Sequence, residues 1–97
     1  MELVQSATFS GWLNGLKDRM ARARIQSRLD RMILGNLGDT KGLREGVSEM
    51  RIDHGPGYRV YFQRRGNRLV LLLAGGDKRT QEADIVRAIE IAKEWKD

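Results

Sequence analysis

Arg51, Arg59, Tyr61 and Lys78 are the residues of this chain whose types and spacing suit phosphate chemistry. They lie in one stretch, Glu-Met-Arg-Ile-Asp-His-Gly-Pro-Gly-Tyr-Arg-Val-Tyr-Phe from Glu49 to Phe62, followed after a polar turn by Leu-Val-Leu-Leu-Leu-Ala-Gly-Gly-Asp-Lys from Leu69 to Lys78. Strand side chains alternate between two faces. Met50 and Ile52 then face one side, with Glu49, Arg51 and Asp53 on the other. Val60 and Phe62 likewise oppose Arg59 and Tyr61. If the apolar faces share a core, Arg51, Arg59 and Tyr61 gather on the opposite face, and Lys78 joins them from the end of the third strand. Such a face suits a polyanion better than a neutral metabolite.

RNA cleavage without metal is a chemistry these residues could support. The 2′-hydroxyl attacks the adjacent phosphorus and charge builds on the phosphate oxygens. The protein must supply cations, a group to take the 2′ proton and a group to protonate the leaving 5′ oxygen. Arg51 and Arg59 are candidates to grip the phosphate. Lys78 could stabilise the charge or shuttle a proton, and Tyr61 could orient the hydroxyl or stack on a base. Glu49, Asp53 and His54 are candidate bases; His54 has the most suitable intrinsic pKa but sits in a glycine-rich turn. Lys41, Arg44, Arg79 and Arg22 are further candidates for RNA contact. Each residue also has a plainer reading. Glu49 and Arg59 could form an ordinary cross-strand ion pair, Tyr61 could simply pack, and a turn histidine is usually just solvated.

Other ready-made sites are excluded. Gly75-Gly76-Asp77-Lys78 resembles a phosphate-binding loop only loosely: the first glycine is missing at the required spacing, and Arg79 follows the lysine. There is no cysteine and a single histidine, so neither a disulfide framework nor a zinc site is expected. The carboxylates do not form the dense cluster of a two-metal nuclease. No metal and no cofactor are expected.

The elements that must position these residues are legible from periodicity. Glu2 to Gln5 reads as a short strand. Phe9, Trp12, Leu13, Leu16 and Met20 follow at helical spacing, capped by Ser6 or Thr8. Ala21, Ile25, Leu29, Met32 and Ile33 form a second helical set, with Gly15 and Asp18 marking the break and Gly35-Asn36 the stop. Arg19, Arg22, Arg24, Arg28 and Arg31 line that second helix, as a solvated face or a phosphate-tracking one. Strands are expected near Gly42 to Glu45, from Val47 to Asp53, from Tyr58 to Gln63 and from Leu69 to Ala74. The last is nearly all apolar, as a strand buried on both faces would be, with helices on one side and a ligand-binding concavity on the other. Asp77 or Thr80 caps a final helix with core face Ile85, Ala88, Ile89, Ala92 and Trp95.

The chain has 97 residues, room for one domain over positions 1–97. Lys and Arg total 18 against 13 Asp and Glu, for a net charge of +5, which points to nucleic acid or an acidic protein partner. No apolar run approaches the ~20 residues of a membrane helix, and the N-terminus has no signal-peptide pattern. A cytoplasmic protein with no membrane association is expected.

The chain resembles the RelE/ParE superfamily of bacterial toxins, in particular its HigB-like putative addiction module killer group. The resemblance runs through Phe9-Ser-Gly-Trp-Leu, Leu16-Lys-Asp-Arg, Ala21-Arg-Ala-Arg-Ile, Arg28-Leu-Asp-Arg and Gly35-Asn-Leu-Gly-Asp-Thr-Lys. It continues through Gly46-Val-Ser-Glu-Met-Arg-Ile, Gly55-Pro-Gly-Tyr-Arg-Val-Tyr-Phe, Leu72-Leu-Ala-Gly-Gly-Asp-Lys and Gln81-Glu-Ala-Asp-Ile, covering almost the whole chain. It implies an α+β fold in which two N-terminal helices pack on a twisted antiparallel sheet, with a C-terminal helix. It also implies a type II toxin of the kind that cuts mRNA in the ribosomal A site. By that resemblance Arg59 falls on the family's strand arginine, Lys78 and Arg79 on its basic pair, and Arg51 on a strand lysine. The C-terminal helix departs from the pattern: Asp84 or Ile85 stands where well-characterised members carry tyrosine, so the base would come from Lys78, Tyr61 or His54. The implied partners are a helix-turn-helix antitoxin, the ribosome with its mRNA, and operator DNA reached only through the antitoxin. Two other readings share the basic composition: a DNA gyrase poison of the ParE type, and a non-catalytic RNA- or ribosome-binding inhibitor.

Overall fold

Alternation in the central strands gives the sheet two apolar faces, and helices cover both. The computed structural model describes residues 1–96. Strand β1 (Glu2–Gln5) leads into helices α1 (Ala7–Gly15) and α2 (Arg19–Ile33). Strands β2 (Thr40–Gly42), β3 (Ser48–Ile52), β4 (Tyr58–Arg65) and β5 (Leu69–Asp77) follow, then a 3₁₀ turn (Lys78–Thr80) and helix α3 (Gln81–Glu94). The fold is α+β. The five strands lie in the order β1-β5-β4-β3-β2.

The meander β2 to β5 is antiparallel, as expected, but β1 pairs with β5 in parallel, so the sheet is mixed. Parallel neighbours need a long connection. Here α1, α2 and strands β2 to β4 lie between β1 and its partner. Ser6 sets the turn out of β1: its hydroxyl donates to the Leu73 carbonyl at 2.6 Å and accepts the Phe9 N–H at 3.0 Å, capping α1. Asp18 caps α2 by accepting the Ala21 N–H at 3.1 Å. Its carboxyl is held below the usual range by that bond first and by His54 second.

The first core joins α1 and α2 to Met50, Ile52, Val60, Phe62, Val70 and Leu72. The α2 stripe is Ala21, Ile25, Leu29 and Met32. Met20 falls off it and is exposed, because α1 ends at Gly15 and a new helix with a new phase begins at Arg19, and Ile33, the last residue of α2, is exposed as well. The edge strand β2 lies earlier than the expected Gly42 to Glu45, because its ladder with β3 runs from Thr40 opposite Met50 to Gly42 opposite Ser48.

The second core overturns the expectation of an open concave face. Ile85, Ala88, Ile89 and Ala92 of α3 pack on Val47, Tyr61, Leu71, Leu73 and Ala74. The apolar stripe of α3 needs a partner surface, and the run from Leu69 to Ala74 presents one on its second face. Only the end of that face beyond the start of α3 remains open. The Gly75-Gly76 pair serves close packing on both sides. A methyl group at Gly75 would overlap the Trp12 ring, and one at Gly76 would overlap the Asp84 carboxylate. Among the described residues no helix is long and apolar enough to cross a membrane.

Candidate functional site

Strand register builds the site. Arg51 sits directly opposite Arg59, and Arg59 directly opposite Gly76. Like charges directly opposed on a sheet repel. Each arginine therefore has its own carboxylate. Arg51 donates to Asp39 Oδ1 from Nη2 at 2.7 Å and from Nε at 3.2 Å. This bonding raises the guanidinium pKa and lowers that of the carboxyl. Arg59 Nε lies 3.4 Å from Glu49 Oε2, and Arg59 Nη1 donates to the Tyr58 carbonyl at 3.2 Å. The two pairs differ in setting: Arg51 and Asp39 are solvent-accessible, whereas Arg59 and Glu49 are buried.

Lys78 follows β5 and is exposed. Its stem lies over Gly57, where a Cβ would come within 3.1 Å of Lys78 Cγ and Cε. Gly57 also has φ of +81°, a conformation that side-chain-bearing residues rarely adopt. The turn between β3 and β4 thus needs glycine twice over, and the lysine lies in the space it leaves. Among the described residues Lys78 has no carboxylate partner. Arg51, Arg59 and Lys78 line one concavity of about 360 Å³, together with Asp39, Ile52, Asp53 and the Gly55–Gly57 turn. Two guanidinium groups and an ammonium around one hollow suit a phosphodiester.

The other candidates lie elsewhere. Tyr61 has no exposed surface, and its hydroxyl has no hydrogen-bond partner among the described residues. Burial, then the Glu49 carboxylate, pushes its pKa far above the ordinary phenol value, so it stays protonated. It sits beneath α3 and does not line the concavity. His54 is tied to the start of α2: its Nε2 lies 3.1 Å from Asp18 Oδ2, and its ring stacks on Tyr58 with centroids 6.4 Å apart. Arg79 folds back on Asp77 at 2.9 Å, and Arg44 pairs with Glu82 at 2.6 Å. Lys41 is exposed on β2, opposite Glu49. Arg22 lines a separate hollow with Leu13, Asn14 and Arg19. The fold therefore brings together Arg51, Arg59 and Lys78, and leaves Tyr61, His54 and Arg22 apart from them.

Sequence reasoning missed Asp39, and it placed Arg28 only on a solvated or phosphate-tracking helix face. Arg28 Nη1 donates to the Arg51 carbonyl at 2.7 Å, and its Nη2 reaches the carbonyls of Asp39 at 3.3 Å and Leu37 at 3.4 Å. It pins the segment that carries Asp39 against the strand that carries Arg51. The only advance signal was its place beside the apolar stripe, three residues after Ile25. Asp39 gave none, because its partner lies 12 residues further along the chain, on the neighbouring strand β3.

A protein of Haemophilus influenzae, described only as uncharacterized, is 45% identical over 94 residues, spanning 97% of this chain and 95% of that protein. The chain belongs to that protein's family. No protein-family model matches it. The shared region takes in both sheet faces and all three helices, so the relationship is one of whole domains. The relative's description assigns no activity.

Proposed function

We propose that this chain is the toxin of a type II toxin–antitoxin pair, acting in the cytoplasm as a ribosome-dependent, metal-independent mRNA endonuclease. The observation that carries this reading is the direct opposition of Arg51 and Arg59, with Lys78, which has no carboxylate partner among the described residues, beside them. The resemblance to the RelE/ParE superfamily supports the reading, since it too implies two N-terminal helices on one sheet face, a C-terminal helix and a strand arginine at Arg59. In the proposed reaction the 2′ oxygen forms a bond to phosphorus, and the bond from phosphorus to the 5′ oxygen breaks. The products are a 2′,3′-cyclic phosphate and a 5′-hydroxyl. Arg51 and Arg59 hold the non-bridging oxygens as charge builds on them. Lys78 protonates the leaving oxygen. Asp53, on the rim and without an ion pair among the described residues, takes the 2′ proton. The helix-turn-helix antitoxin would neutralise the toxin by covering the same basic hollow, and would bring the pair to operator DNA.

A non-catalytic inhibitor that occupies RNA or the ribosome is the second reading. It is favoured by the burial of Tyr61 and the engagement of His54 with Asp18, which remove two proton-transfer candidates from the hollow. Cell-free translation with purified protein, followed by mapping of mRNA 5′ ends, separates the readings. The endonuclease predicts new ends that require ribosomes, with Lys78→Ala slowing their appearance by roughly a hundredfold. Stoichiometric arrest without new ends supports occupancy. No effect on translation overturns both and directs attention to gyrase supercoiling.

A further inference from the structure

The arginines of α2 divide into two groups. Arg24, Arg28 and Arg31 recur at i, i+4 and i+7, which places them on one stripe of the helix. With Ser27, Gly38, Asp39, Ile52 and Asp53 they line a second hollow of about 360 Å³. That hollow shares Asp39, Ile52 and Asp53 with the one holding Arg51, Arg59 and Lys78, so the two adjoin across a common ridge. Six cations flank the pair of hollows, against Asp39 and Asp53 on the ridge, and Asp39 is already paired with Arg51. Arg28 is committed to backbone carbonyls. Arg24 and Arg31 are exposed and have no carboxylate partner among the described residues.

We propose that the Arg24–Arg31 hollow is a second phosphate subsite for the RNA strand being cut. The strand whose scissile phosphate lies among Arg51, Arg59 and Lys78 continues over the Asp39–Asp53 ridge and lays a later stretch of its backbone against Arg24 and Arg31. This rests on the RNA-cutting reading and extends it from a single phosphate to a footprint of several nucleotides. The adjoining hollows, with Arg24 and Arg31 on one side of the ridge and Lys78 on the other all lacking a carboxylate partner among the described residues, are what an extended polyanion needs and a single anion does not.

Fluorescence anisotropy with 2′-O-methyl RNA, which cannot be cut by its own 2′-hydroxyl, tests the footprint. Probes of three and twelve nucleotides would be titrated across a range of salt with the full chain, with R24Q/R31Q and with Lys78→Ala. The double variant should weaken binding of the long probe about tenfold. It should also lower the slope of log K against log salt by about 1.4, or about 0.7 for each single-strand phosphate left without its arginine. The trinucleotide should bind as before, whereas Lys78→Ala should weaken both probes. Equal losses on both probes, or an undiminished advantage of the long probe in R24Q/R31Q, would overturn the subsite while leaving the cutting site standing. Failure of the unaltered chain to bind either probe, with ribosomes added as well as without, would instead overturn the RNA reading itself.

Discussion

Arg51 and Arg59 are neighbours with the same charge, but their partners give them different freedom. The Arg51–Asp39 pair is exposed, so salt screens it and an incoming phosphate can replace the carboxylate at little cost. The Arg59–Glu49 pair is buried, and removing either member would strand a charge. Arg59 is thus a fixed cation and Arg51 an exchangeable one. Asp39 has a lowered pKa, so it is charged at neutral pH and releases Arg51 only as pH falls through that lowered value. Asp39→Asn should accordingly raise RNA affinity on the order of a few fold at low salt, with the gain fading at high salt. The check is anisotropy at two salt concentrations. A loss of affinity would mean that Asp39 aims Arg51 at the RNA rather than competing for it.

At the scale of elements, the site depends on joints remote from it. Ser6 links β1, α1 and β5 through two hydrogen bonds, one of them to the buried end of the apolar strand. Ser6→Ala leaves the Phe9 N–H and the Leu73 carbonyl without that partner, and should cost about 1–3 kcal/mol in urea unfolding. A change below about 0.5 kcal/mol would show that neither bond matters to the joint. Because α1 and the Gly75–Gly76 segment meet at Trp12, slackening here is expected to reach the end of β5 that delivers Lys78. The turn between β3 and β4 is the other joint, where Gly57 makes room for the lysine stem.

Across the whole molecule, α3 closes one half of the sheet face and leaves the other half open. It is pinned at both ends. Arg44 meets Glu82 near its start, and Lys93 meets Glu45 at 3.2 Å near its end. Arg65 donates to the Ala92 carbonyl at 2.6 Å and the Trp95 carbonyl at 3.2 Å. With the helix so held, Tyr61 remains a core residue whose hydroxyl is buried without a partner among the described residues. Removing an unsatisfied buried hydroxyl is neutral or stabilising. Tyr61→Phe should therefore keep or raise the Tm and leave RNA cutting unchanged. Loss of cutting at an unchanged Tm would show that α3 opens far enough for the phenol to meet RNA.

The sequence by itself determined the elements, because period and punctuation are local. Alternation assigned Met50, Ile52, Val60 and Phe62 to one face and Glu49, Arg51, Arg59 and Tyr61 to the other, and the register bears this out. Ser6 was one of two offered caps for α1 and is the one used, Gly15 and Asp18 marked the break at which α2 begins, and the α3 stripe was readable from its spacing. Packing decided the rest. A strand pattern tells which residues share a face but not what covers it, and α3 turned Tyr61 from a candidate site residue into core. Asp39 and Arg28 reached the site through contacts spanning 12 and 23 residues of chain, where no local period could register them. His54 was likewise drawn away by Asp18, 36 residues earlier. Local steric and hydrophobic preferences are written along the chain, whereas a site is assembled from charges that meet only once the sheet and its helices have closed.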